Sequence, residues 1–103
     1  MIMISGDEIY VGTELKYVVR IEAEGFDMWE HEFEVDIVRG PKRLHFAKDD
    51  MVISDDEFYV CFDTRELGPG KVYAYITAHV PDSDFPDGIR DEVQKVELLI
   101  LYT

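Results

Sequence analysis

Cysteine is nearly absent from this chain, and basic side chains are few beside the acidic ones. A single cysteine, Cys61, excludes an internal disulfide and any cysteine-built metal knot. Placed inside a period-two segment, it reads as a small packed side chain and not as a reactive thiol. Ten Lys and Arg stand against 23 Asp and Glu, a formal charge of −13. A surface of that sign repels phosphate backbones and the anionic face of a membrane, so neither nucleic acid nor membrane is expected as a partner. No stretch approaches the roughly 18 consecutive apolar residues of a membrane-spanning helix. The segment Met1-Ile2-Met3-Ile4-Ser5-Gly6 lacks both the basic leader and the long apolar run of a secretory signal, which points to synthesis in the cytoplasm.

Apolar residues are plentiful. They make up 47% of the 103 positions, enough for one core, so a single domain over 1–103 is expected and the acidity is not a sign of disorder. Six Tyr and six Phe suit pleated, half-buried surfaces better than helices.

The most informative stretch is Glu57–Pro81, EFYVCFDTRELGPGKVYAYITAHVP. Phe58, Val60 and Phe62 alternate with Glu57, Tyr59, Cys61 and Asp63. Beyond Leu67-Gly68-Pro69-Gly70, Val72, Ala74, Ile76, Ala78 and Val80 alternate with Lys71, Tyr73, Tyr75, Thr77 and His79. Strict alternation puts one row on a core and the other toward water or a second surface. The same period runs through Glu14–Ala23, with Leu15, Tyr17, Val19 and Ile21 inward, and through His31–Arg39, with Phe33, Val35 and Ile37 inward. Gly40-Pro41 ends the latter, because proline cannot continue a paired ladder. Short strands are expected at Met1–Ile4, Ile9–Val11, Lys42–Phe46 and Met51–Ile53. A final one over Asp91–Tyr102 should turn Val96, Leu98, Ile100 and Tyr102 to one face and Leu99 and Leu101 to the other. In Asp63-Thr64-Arg65-Glu66, Asp63 can cap the amide three residues on while Glu66 reaches back, which predicts one helical turn near 64–67 and no other. About seven antiparallel strands, with no amphipathic helix to cover a sheet, predict an all-β, two-sheet sandwich of immunoglobulin-like architecture.

Few residues suggest chemistry. Asp82, Asp84 and Asp87, in the loop PDSDFPDG, are the candidate metal ligands, since Ca²⁺ takes several oxygens from one flexible loop. The EF-hand spacing is absent, however, and Asp side chains in turns commonly bond their own backbone. The acidic turns Asp49-Asp50 and Asp55-Asp56-Glu57 lie where water would keep every carboxylate ionised, which disfavours paired-carboxylate hydrolysis. His31, His45 and His79 are not at zinc spacing, and no serine sits in a nucleophile elbow. No cofactor is called for beyond that weak calcium candidate. The outward aromatics Tyr73 and Tyr75, with Tyr59, Trp29 and His79, make the candidate interaction surface. Arg39, Lys42, Arg43 and Lys48 form one locally basic edge on the acidic body.

An alternating strand entering Gly25-Phe26-Asp27-Met28, then EFEVDIVRG, then YVCFDTRELGPGKVYAYI followed by PDSDFPDGIRDEV resembles small β-sandwich proteins of Bacteroides-type prophages. It is also similar to the N-terminal domains of phage baseplate and tail-fibre proteins. The similarity runs over most of residues 9–102, and Asp63-Thr64…Leu67-Gly68-Pro69-Gly70 is its most specific part. It implies a structural or adaptor module without catalytic residues, acting through a protein partner or self-association and assembled into a phage particle. The alternative from the residues alone is a carbohydrate- or calcium-binding module.

Overall fold

A computed structural model describes residues 9–103, most of which lie in strands. The strand expected at Met1–Ile4 lies outside the described residues. Eight strands follow: β1 (Ile9–Tyr10), β2 (Glu14–Val19), β3 (Phe33–Arg39), β4 (Lys42–Ala47), β5 (Val52–Ser54), β6 (Glu57–Asp63), β7 (Gly70–Pro81) and β8 (Ile89–Tyr102). Single 3₁₀ turns occupy Lys48–Asp50 and Thr64–Glu66. The fold is all-β, with one strand more than the seven or so expected and a second short turn that the sequence did not suggest. No helix of the described residues is long and apolar enough to cross a membrane.

Two sheets form. One has five strands in the order β1-β8-β7-β3-β4, the other three in the order β2-β6-β5. All pairings are antiparallel except β1 with β8, which is parallel and covers only Ile9↔Leu101 and Tyr10↔Tyr102. The inner rows are those the alternation foretold. Phe33, Val35 and Ile37 of β3 and Val72, Ala74, Ile76, Ala78 and Val80 of β7 are buried in the first sheet. Phe58, Val60 and Phe62 of β6 are buried in the second. The sheets meet where the Phe33 and Phe58 rings lie with centroids 4.6 Å apart, and the Phe26 ring packs edge-on against Phe33 at 6.1 Å. Burying aromatic rings of this size contributes about 1.5–3 kcal/mol each.

β2 stops at Val19, four residues short of the expected end at Ala23. Its only partner among the described residues, β6, begins at Glu57, and the register Val19↔Phe58 leaves just that one residue of the strand beyond it. β8 departs from simple alternation. Its register against β7 slips after Tyr73↔Glu97, so that Val72 pairs with Leu99 and Leu98 is the extra residue of a β-bulge. The phase of every later side chain is thereby reversed. Ile100 and Tyr102, expected to share a face with Val96, are 40% and 39% exposed on the opposite one, whereas Leu101 is 2% exposed.

The turn joining β6 to β7 explains its own sequence. Asp63 caps it, but through the Arg65 amide (2.9 Å) and not the one a residue further on, and the carboxylate also takes Arg65 Nη1 at 2.8 Å. No hydrogen bond returns from Glu66. Beyond it the chain passes under Arg39, whose Nε donates to the Leu67 carbonyl at 2.7 Å. Gly70 holds φ +131°, and a Cβ there would stand 2.9 Å from Arg39 Cδ. Only glycine suits such a backbone beneath a side chain.

Candidate interaction surface

The outward face of the five-stranded sheet carries the densest set of functional groups. From β7 come Tyr73, Tyr75, Thr77 and His79, all half-buried. Cross-strand pairing sets Val38, Asp36 and Glu34 of β3 on one side of Tyr73, Tyr75 and Thr77, and Glu97, Lys95 and Val93 of β8 on the other. Asp91 of β8 pairs with His79. Beyond β3, the same face continues onto Arg43, His45 and Ala47 of β4. The row Lys95–Tyr75–Asp36–His45 thus runs across four strands.

Its polar groups are largely engaged with one another. Lys95 Nζ sits 4.2 Å from the Tyr73 ring centroid and 5.6 Å from that of Tyr75, a cation–π placement. Asp36 accepts from Arg43 Nη1 at 2.8 Å and from His45 Nδ1 at 2.5 Å. The hydrogen bond to Asp36 is the main reason the His45 imidazolium is favoured and its pKa raised, with the charges of Asp36, Glu34 and Asp50 adding to it. His79 Nδ1 donates to Asp91 at 2.6 Å, while its Nε2 lies 3.9 Å from Glu34. The basic edge is therefore partly spent within the molecule: Arg43 on Asp36, Arg39 on Leu67, and Lys48 Nζ on the Trp29 and His31 carbonyls at 3.1 and 2.9 Å.

Not all of the expected surface lies here. Tyr59 is on the outward face of the three-stranded sheet, where Val18 and Val52 flank it across the strands and Lys16 Nζ stands 3.9 Å from its ring. Trp29 belongs to the β2–β3 connection, and its indole Nε1 donates to the Asp55 carbonyl at 2.9 Å. The structure so divides the five residues: Tyr73, Tyr75 and His79 share one sheet face, while Tyr59 faces outward from the other sheet. Cys61, expected to be packed, is exposed on the same outward row as Tyr59. An inward cysteine would have needed the parity of Val60 or Phe62.

The acidic loop is tied to itself. Asp82 Oδ1 accepts the Asp84 amide at 3.0 Å and its other oxygen bonds Arg90, while Asp87 Oδ1 accepts the Ile89 amide at 3.3 Å. Among the described residues no group of three or more His, Cys, Asp or Glu side chains converges as a metal site. A cleft of about 470 Å³ opens where residues 19–23 part from the inner side of β7 and β8, lined by Val19, Ile21, Ile76 and Ala78 with Glu92 and Gln94.

Two features escape a reading of the sequence. One is Lys95, whose seat over the tyrosines depends on β8 lying beside β7. The other is the β8 edge itself, which is paired by β1 only at Leu101 and Tyr102 among the described residues. The chain matches no family model, no curated protein and no solved structure.

Proposed function

We propose that this chain is a non-enzymatic structural or adaptor module that acts by protein–protein contact. The observation that carries the reading is the outward face of the five-stranded sheet. Two tyrosines, a lysine and two carboxylate-bound histidines stand together there, held to one another and to the sheet by cation–π and hydrogen-bond contacts. Aromatic and cationic groups held rigid in this way suit docking, because little side-chain entropy remains to be lost on contact.

The finer architecture is read as an immunoglobulin-like sandwich. In favour is the strand order. Taking β2, β3, β4, β5, β6, β7 and β8 as strands B, C, C′, D, E, F and G, the two sheets have the G-F-C-C′ and B-E-D orders of variable-type immunoglobulin domains. A role in a phage-derived tail or baseplate, with assembly into a particle, rests on the sequence resemblance. The carbohydrate- or calcium-binding alternative has no comparable observation behind it.

Co-expression with whichever proteins are encoded beside this chain, followed by size-exclusion chromatography, tests the reading. A stable complex lost in Tyr73→Ser/Tyr75→Ser is expected. Absence of any complex, together with binding on a glycan array, would overturn it.

A further inference from the structure

From Ile89 to Ile100 the outer edge of β8 carries no strand among the described residues, and its side chains are mostly exposed. Val93, in the middle, is 63% exposed, more than any other large apolar side chain described. A long edge with an apolar centre invites addition of another strand. Most edges of this length are blunted by a bulge, a proline or a central lysine. Here the bulge comes only at Leu98, and the lysine lies two residues from the centre.

We propose that the occupant is a second copy of this chain, with β8 pairing antiparallel to β8 of the partner about a two-fold axis through Val93. The proposal rests on the docking reading above and names one partner for it. Its register follows from charge. A two-fold axis pairs outward residues with outward residues, so it must fall on a residue and not between two. With Val93 on the axis, Val93 meets its own copy, Asp91 faces Lys95 of the other chain, and Lys95 faces Asp91. Glu92 and Gln94 meet on the inner side. An axis at Gln94 would instead set Asp91 against Glu97 twice, and one at Glu92 would oppose that carboxylate to itself. Like charges directly opposite destabilise a pair of strands.

Both charges are available for this. Lys95 lies over tyrosine rings and has no carboxylate partner within ion-pair distance among the described residues, and the Asp91 side chain is 58% exposed although it accepts from His79. The formal charge of −13 on each copy opposes association. A nine-residue edge also buries less than a standard interface, so the dimer is a weak one.

Sedimentation equilibrium of the full chain over about 1 µM to 1 mM, with reductant present because Cys61 is exposed, reads the outcome. The mass should climb from 12.0 kDa toward twice that value. Lys95→Glu should weaken association about tenfold, and Asp91→Lys/Lys95→Glu should restore it to within about threefold of the wild type. Val93→Lys, at a side chain 63% exposed, should be monomeric with a melting temperature within about a degree or two of the wild type.

A wild type that stays monomeric overturns the proposal, even if its residue 89–97 amides resist hydrogen exchange, since another part of the chain would then hold that edge. A dimer indifferent to all three variants places the interface elsewhere and overturns it equally. A monomer that still forms the tyrosine-dependent complex removes the dimer and leaves the docking reading intact. A charge-dependent dimer with no further partner does the reverse.

Discussion

Thr64 and Thr13 are joined twice: the Thr64 amide and its Oγ1 both donate to the Thr13 carbonyl, at 3.1 and 2.8 Å. The same hydroxyl accepts from the Gly12 amide at 2.9 Å. Thr64 is the one polar side chain fully buried among the described residues, and it clamps the β1–β2 turn to the turn after β6. Its hydroxyl has donor and acceptor both satisfied, which is what makes burial tolerable.

Thr64→Val keeps the shape but leaves the Gly12 amide without that partner. A loss of about 1–3 kcal/mol in urea unfolding is expected, because a buried donor is orphaned. Thr64→Ser should cost less, and hydrogen exchange at Gly12 should quicken in the valine variant alone. Equal exchange in both would mean that the clamp is packing and not hydrogen bonding.

The bulge in β8 gives a sharper test. Regular alternation from Val96 would bury Ile100 and expose Leu101, whereas the slipped register buries Leu101 and leaves Ile100 at 40% exposure. Leu101→Ala should therefore cost about 2–5 kcal/mol, the range for emptying a core leucine site. Ile100→Ala should cost less than about 1 kcal/mol, as surface changes do. Comparison of the two denaturation midpoints decides the register, and the reverse ranking would remove the bulge.

These residues mark where sequence reasoning succeeds and fails. Alternation records which face a side chain takes, so the inner rows of β3, β6 and β7 were legible residue by residue. It does not record whether a ladder partner exists. Ile21 accordingly keeps the expected inward parity, half-buried against the core, although β2 has already ended at Val19. Nor does it record the sheet to which a strand belongs. Tyr59 and Tyr73 looked equivalent along the chain because each is outward on its own strand, and only the pairing of β6 with β2 and β5 separates them. Bulges are similarly silent: Leu98-Leu99-Ile100-Leu101 is apolar throughout, so either phase satisfies a hydrophobic pattern.

Cys61 illustrates the same gap with a chemical readout. Exposed on the outward row of β6 and opposite Lys16 of β2, it should react stoichiometrically with a water-soluble thiol reagent in the native protein. Cys61→Ser should leave the melting temperature within about a degree or two, since no core contact is lost. Labelling that requires denaturant would place the thiol inward and reverse the assignment of faces along β6.

The Asp36–His45 pair should make stability depend on pH. In the folded chain the hydrogen bond to Asp36 raises the His45 pKa, so the folded state binds the proton more tightly than the unfolded chain, whose histidines titrate near about 6.5. The resulting stabilisation is complete below that unfolded value and is lost as pH rises through the higher folded one. Urea midpoints should thus fall across neutral pH toward the alkaline side. The effect should be modest, because the His45 side chain is 52% exposed and water screens it. Asp36→Asn removes the acceptor charge and should flatten the slope. It should also return the His45 ring, followed by its NMR titration, toward the ordinary histidine value. A slope that survives in Asp36→Asn would assign the pH dependence to another histidine, and the charged row across β8, β7, β3 and β4 would then lose its part in holding β4 to the sheet.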